Sequence, residues 1–185
     1  MLTLAEVSAR MEIHDALMRY ARGMDRWDGD LVESAYFPDA VDTRSYRPAL
    51  RSPRELAESA RTGFGSPPEP SQHHLTNILI DVDVEAGVAD VESYAIIFHP
   101  VAAAPDPGDA ATEAPSEMRW IGARYLDRFE CRDGEWRIAR RVVVADWARA
   151  DLYGAPAPLF SEWQGGLRPG LREADPSFTL HRSQE

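Results

Sequence analysis

Hydrophobic residues recur along this chain with two periods, and the change from one to the other divides it. Between residues 3 and 25, Ile13, Leu17, Tyr20 and Met24 return every three or four positions, with Val7 and Met11 extending the stripe. Arg10, Glu12, Arg19 and Arg22 fall mainly on the other side, so the segment reads as an amphipathic helix ending at Asp25. Asp28-Gly29-Asp30 offers turn and N-cap chemistry for a short helix over 31–36. Phe37-Pro38-Asp39 ends it, because proline cannot donate into a helix and restricts the residue before it. Residues 40–44 read as a short strand. Ser52-Pro53-Arg54-Glu55 is a capping box with proline at the first helical position, opening a helix that runs to about residue 62. A Gly/Pro/Ser-rich loop follows over 63–71.

From His73 the period falls to two. Residues 73–82 alternate, 83–87 turn, and 88–98 alternate again with Ala89, Val91, Ser93, Ala95 and Ile97 on one face. Residues 99–116, rich in Pro, Ala and Asp, read as a mobile loop. Two long strands over 117–131 and 135–147 are joined through Arg132-Asp133-Gly134, and Asp-Gly is a strong hairpin signal. Past residue 150 the chain turns Pro- and Gly-rich with isolated aromatics, which reads as an extended arm. The expected organisation is one domain over 1–149 and an arm over 150–185. Helices first and antiparallel strands afterwards is an α+β order, with the helices gathered on one side of a curved sheet. The space between the two is a natural place for a small ligand.

Composition narrows the chemistry. At 185 residues the chain is long enough for a proper core, and 44% hydrophobic with 28% charged residues is ordinary for a globular protein. No apolar run approaches the roughly 20 residues that span a bilayer, and the first residues show no continuous hydrophobic region of a signal peptide. A net charge of −11 argues against nucleic acid or an anionic membrane as partner. All 20 basic residues are arginine, as a GC-rich genome favours, so no lysine is present for Schiff-base chemistry. The single cysteine, Cys131, excludes an intrachain disulfide and suits a reducing cytoplasm. There is no Gly-rich phosphate loop and no metal-binding cluster, so neither cofactor nor metal is expected.

Three side chains hold the parts of an acid–base site. Asp25 closes the first helix at the edge of its apolar stripe, where a buried carboxylate needs a partner. His73 and His74 are neighbours on a strand and point to opposite faces, so they cannot share a metal ion. Strict alternation puts His73 with Leu75, Asn77 and Leu79, and His74 with Thr76, Ile78 and Ile80, and hydropathy does not choose between them. On the last strand Arg141 falls with Ala139, Val143 and Ala145, and Arg140 with Ile138, Val142 and Val144, and both faces are largely apolar. Tyr20 belongs to the core stripe with a hydroxyl that needs a partner. His99 stands where a strand end meets the expected cavity mouth.

Taken in order, Tyr20-Ala-x-x-x-Asp25, Phe37-Pro-Asp-Ala40, Gln72-His73 and Asp133-Gly134-x-Trp136-Arg-Ile resemble the NTF2-like superfamily over roughly residues 4–147. Within it they resemble the SnoaL-like branch, with scytalone dehydratase, bile-acid 7α-dehydratase and hexachlorocyclohexane dehydrochlorinase. The resemblance implies a cone-shaped fold in which Asp25 pairs with His73 and Arg141, five residues after the hairpin Trp136, completes the site. It favours His73 over His74 and Arg141 over Arg140. Tyr20 matches an active-site tyrosine of bile-acid 7α-dehydratase, where the dehydrochlorinase has lysine. Scytalone dehydratase has its tyrosine where this chain has Met24, and its site asparagine aligns near Tyr125. The implied reaction is a cofactor-independent elimination. His73 takes a proton, Asp25 orients and stabilises it, and Arg141 and Tyr20 stabilise the developing charge or the leaving group. Isomerase or polyketide cyclase chemistry, and a non-catalytic binding or structural role, are the alternatives on this fold. Trp27, Tyr94, His99, Trp120, Tyr125 and Phe129 are the expected lining for a hydrophobic cyclic or aromatic substrate. A homodimer or homotrimer is expected, packed through the exposed face of the sheet.

Overall fold

In the computed structural model the described residues are 1–44, 52–62, 71–101, 116–153, 175 and 177–178. Helix α1 spans Leu4–Arg26. Thr3 caps it through a reciprocal box with Glu6, and the left-handed backbone of Trp27 (φ 58°) closes it. Ile13, Leu17, Tyr20 and Met24 are buried as their spacing predicts. Val7 and Met11, expected to extend the stripe, are exposed, and Ala9 and Ala16 occupy the buried side instead. Helix α2, Gly29–Ser34, starts two residues earlier than the sequence pattern places it, because Asp28 accepts from the Leu31 amide and so caps the helix itself. It crosses close to the last turn of α1: a Cβ on Gly23 would lie 2.7 Å from Val32. Helix α3, Pro53–Arg61, forms on the Ser52–Glu55 capping box read from the sequence.

Five strands form one curved, unclosed sheet in the order β1-β5-β4-β3-β2. These are β1 (Tyr36–Arg44), β2 (Gln72–Asp83), β3 (Val88–Val101), β4 (Ser116–Arg132) and β5 (Glu135–Tyr153). The β1–β5 pair is parallel and the others antiparallel. Strand β1 begins at Tyr36, not at residue 40. The Phe37-Pro38-Asp39 stretch lies inside it, where the register to β5 shifts between Tyr36 and Val41 and no ladder bond is asked of the proline. The β4–β5 hairpin turns on Asp133 (φ 54°) and Gly134 (φ 83°), the two left-handed residues that a tight Asp-Gly turn requires. Strand β3 continues to Val101, so its end replaces the start of the expected loop, and β5 runs on to Tyr153, past the expected domain limit. The remainder of both expected loops, and of the arm apart from residues 175, 177 and 178, lies outside the described residues.

The helices cover the inner face of the sheet and bury Tyr20, Tyr36, Leu56, Ala95, Tyr125, Phe129 and Ile138 between the layers. Two bulges decide which side chains reach that face. On β2 the residues Asn77 and Ile78 together oppose Ser93, with Asn77 at φ 47°. The extra residue reverses the alternation, so His73 and Leu75 share the inner side with Ile78, Ile80 and Val82. On β5 Ala139 is the extra residue, since Phe129 pairs with Ile138 and Arg128 with Arg140. Buried Arg141 therefore faces inward with Ile138 and Val143, not with Ala139 as strict alternation implies.

Candidate functional site

Asp25 sits in the last turn of α1 and reaches the first residues of β2. Its Oδ1 lies 2.6 Å from His73 Nδ1 and accepts from the Ser71 hydroxyl at 3.1 Å. Its Oδ2 accepts the backbone N–H of His73 at 3.0 Å. A carboxylate accepts only, so its short contact to Nδ1 puts the neutral imidazole proton on that nitrogen. Nε2 is then the basic nitrogen, and it has no hydrogen-bond partner among the described residues. The side chains of His73 and Asp25 are 7% and 15% exposed, shielded but not sealed. His74, by contrast, is exposed and bonds Gln72 on the outer side.

Tyr20 joins this pair to a second set of charges. Its ring meets the His73 imidazole edge-on at 6.3 Å and the rings of Tyr36 and Tyr125 at 6.0 and 5.7 Å. The Arg141 guanidinium lies 4.2 Å from the centre of the Tyr20 ring and 4.3 Å from that of Tyr125, a cation–π sandwich. Arg141 makes no contact with Asp25. It holds Asp127 with two parallel bonds, Nε to Oδ1 at 2.7 Å and Nη2 to Oδ2 at 2.6 Å, and neither side chain is exposed. On β1, Arg44 grips Asp42 with Nε at 2.6 Å and Nη2 at 2.9 Å, and the same Nη2 donates to the Tyr20 hydroxyl at 3.0 Å. Tyr36 donates its hydroxyl to Asp42 at 2.8 Å.

Burial and pairing pull these groups in different directions. Burial works against the Arg141 charge, but Asp127 outweighs it and the guanidinium is held above its ordinary pKa. Burial pushes the Asp127 carboxyl up, with Arg141 pulling against it. Burial also pushes Asp42 up, but the hydrogen bond and charge of Arg44, then Arg141 and the Tyr36 hydroxyl, leave it lowered. The Tyr36 phenol is raised, chiefly by burial.

The structure thus brings Tyr20, Asp25 and His73 together and sets Arg141 behind Tyr20. Tyr125 and Phe129 are buried on the inner face, 1% and 0% exposed. Trp27 is the C-cap of α1 beside Asp25, and His99 follows Ile97 in the inward phase of β3. Tyr94 and Trp120 depart from the expected lining. They lie on the outer face, 42% and 38% exposed, because their phase on the sheet is opposite to that of the buried Ser93, Ala95 and Ala123. Asp42, Arg44 and Asp127 were not singled out in the sequence, though each left a signal there. Asp127 stands in phase with Tyr125 and Phe129, and Asp42 and Arg44 in phase with Ala40: charges in the apolar phase of a strand. Among the described residues no group of three or more His, Cys, Asp or Glu is placed to hold a metal ion.

The sequence model of one protein family, described as a SnoaL-like domain, matches residues 5–142. An uncharacterized protein of Mycobacterium tuberculosis strain H37Rv is 28% identical over 143 residues, 77% of this chain and 88% of its own. Among solved structures, a hexachlorocyclohexane dehydrochlorinase from Novosphingobium barchaimii superposes with a TM-score of 0.66 at 16% identity, covering 83% of this chain and 99% of its own. A candidate scytalone dehydratase from Novosphingobium aromaticivorans gives 0.61 at 17% identity, covering 84% and 99%. At these identities the likeness shows the fold, the NTF2-like cone that the resemblance implies.

Proposed function

The chain belongs to the SnoaL-like family, and from that premise we propose that it is a cofactor-independent lyase of the dehydratase kind, acting on a hydrophobic cyclic or aromatic substrate. The observation that carries this reading is the 2.6 Å bond between His73 Nδ1 and Asp25 Oδ1, which leaves Nε2 without a partner among the described residues. Nε2 takes a proton from the carbon beside a carbonyl, and the electron pair moves onto the oxygen. Asp25 then faces an imidazolium, which it stabilises. As the enolate collapses, the β-hydroxyl leaves with the proton returned by His73. One C–H and one C–O bond break, one C=C bond forms, and water is released. Arg44 can only donate, so the Tyr20 oxygen accepts from it and the Tyr20 proton remains available to the substrate.

The names of the structural neighbours supply the first substrates to try, scytalone, and hexachlorocyclohexane, from which the same base would remove a proton with loss of chloride in place of water. Deuterium uptake next to the carbonyl in heavy water reports the proton abstraction directly, whatever follows it. Product mass then separates elimination from isomerisation or cyclisation on the same base. His73→Ala should lower the rate by about 100-fold or more. A variant within tenfold of the parent would remove His73 from the mechanism. The exposed Tyr94, Ile96, Trp120 and Trp147 on the outer face support pairing with another copy of this chain, which light scattering in solution measures.

A further inference from the structure

Among the described residues, the charges in the middle of the sheet's inner face balance one another. Along one cross-strand row Asp127 stands opposite Arg141, and Arg141 opposite Asp42. Arg44, two residues further along β1, closes against Asp42. All four are buried, and their two positive and two negative charges cancel. Asp25 adds a further carboxylate to the site, paired with His73. Yet Arg141 is not saturated. Asp127 takes Nε and Nη2, and Nη1 is buried with no hydrogen-bond partner among the described residues. The ring of Tyr20 touches both this guanidinium and the imidazole of His73.

A buried N–H that has lost water calls for an acceptor. Resting on the acid–base reading above, we infer that this acceptor is an uncharged oxygen of the substrate, a ketone or lactone carbonyl, and that Asp127 makes the site discriminate against carboxylates of the same shape. A carboxylate entering the core must be matched by a cation that nothing else neutralises. Arg141 is already neutralised by Asp127, and Arg44 by Asp42. A carbonyl needs only the donor. The negative charge it acquires during proton removal is balanced by the imidazolium formed on His73, so no further cation is needed, and it meets the Nη1 donor in the transition state, where stabilisation accelerates the reaction. Asp127 is in this account a specificity-determining residue that acts through Arg141.

The test is equilibrium binding of shape-matched pairs, acetophenone against benzoate and 2-acetonaphthone against 2-naphthoate, followed by titration calorimetry or ligand-observed NMR. At about 0.3 M salt the screening length is about 6 Å, which suppresses the field of the chain's net charge of −11. The ketone of at least one pair should bind the parent about tenfold more tightly than its carboxylate, or better. Asp127→Asn should raise carboxylate affinity, relative to that of the matched ketone, by about tenfold. Asp42→Asn makes the same change of charge if Asp127→Asn does not fold, and the parent's own ratio decides if neither does. Equal or tighter binding of the carboxylates, absence of ketone binding, or no gain for carboxylate in a folded variant overturns the inference. His73→Ala should keep the parent's preference. A preference for ketones without turnover would leave this inference standing and remove the lyase. Turnover of an anionic substrate would do the reverse.

Discussion

Two paired carboxylates lie on either side of Tyr20, and they are built for opposite ends. Asp25–His73 joins a helix end to the first residues of a strand, keeps some exposure, and leaves one ring nitrogen without a partner among the described residues. Arg141–Asp127 sits in the middle of two paired strands, fully buried, with both carboxylate oxygens engaged. The first can exchange a proton because a ring nitrogen of an imidazole can take one up and give it back. The second holds a fixed charge, because arginine does not deprotonate in proteins. A carboxylate paired at the junction of elements can act, whereas one paired in the centre of a sheet sets the field in which the action occurs.

Breaking the inner pair should have the largest effect on stability. Arg141→Met leaves Asp127 buried without its cation and should cost about 3–5 kcal/mol of unfolding free energy, measured by urea denaturation. Most of that loss should return in the double replacement Arg141→Met with Asp127→Leu, which removes both charges. An equal or greater loss in the double variant would mean that the pair is worth more than an apolar core there.

The outer pair should show the reverse balance. His73→Ala, expected to be catalytically severe, should cost only about 1 kcal/mol of stability, the scale of one hydrogen bond. A loss as large as that of Arg141→Met would erase the distinction between the pairs. Acid sharpens the contrast further. Asp42 is held below its ordinary carboxyl value of 3.8. Its stabilising contribution is therefore complete above that value and is lost as pH falls through the lower, folded one. The stability gap between the parent and Asp42→Asn should accordingly narrow below about pH 4. The smallest effect lies away from both pairs. Ser52→Ala removes the α3 cap and should cost about 1 kcal/mol without altering proton exchange on a substrate.

Local signals in the sequence were sufficient for much of this architecture. The Ser52–Glu55 box starts α3 by bonds within four residues. Asp133-Gly134 turns the last hairpin because it tolerates left-handed backbone at both positions. The phase of Ala89, Val91, Ser93, Ala95 and Ile97 faces the core without interruption. Where strict alternation misled, a bulge intervened. Asn77 on β2 and Ala139 on β5 each insert one residue, and each shifts the side on which His73 or Arg141 finds its neighbours. A bulge is set by what the partner strand offers, so the strand's own sequence does not announce it. The resemblance to a family picked His73 and Arg141 where hydropathy could not, but it did not reveal that Arg141 is held by Asp127.

By itself the sequence determined the elements, their order and the residue types of the candidate site. Helix periodicity, caps and turn residues act over a few positions, and that range is readable from the chain. The tertiary structure decided which charges meet. Asp25 and His73 are 48 positions apart and Arg141 and Asp127 are 14 apart, and only packing of α1 against the sheet and the pairing of β4 with β5 makes them neighbours. Whether a buried carboxylate serves a base or a fixed cation depends on that partner, because in a low-dielectric interior the nearest opposite charge governs its behaviour.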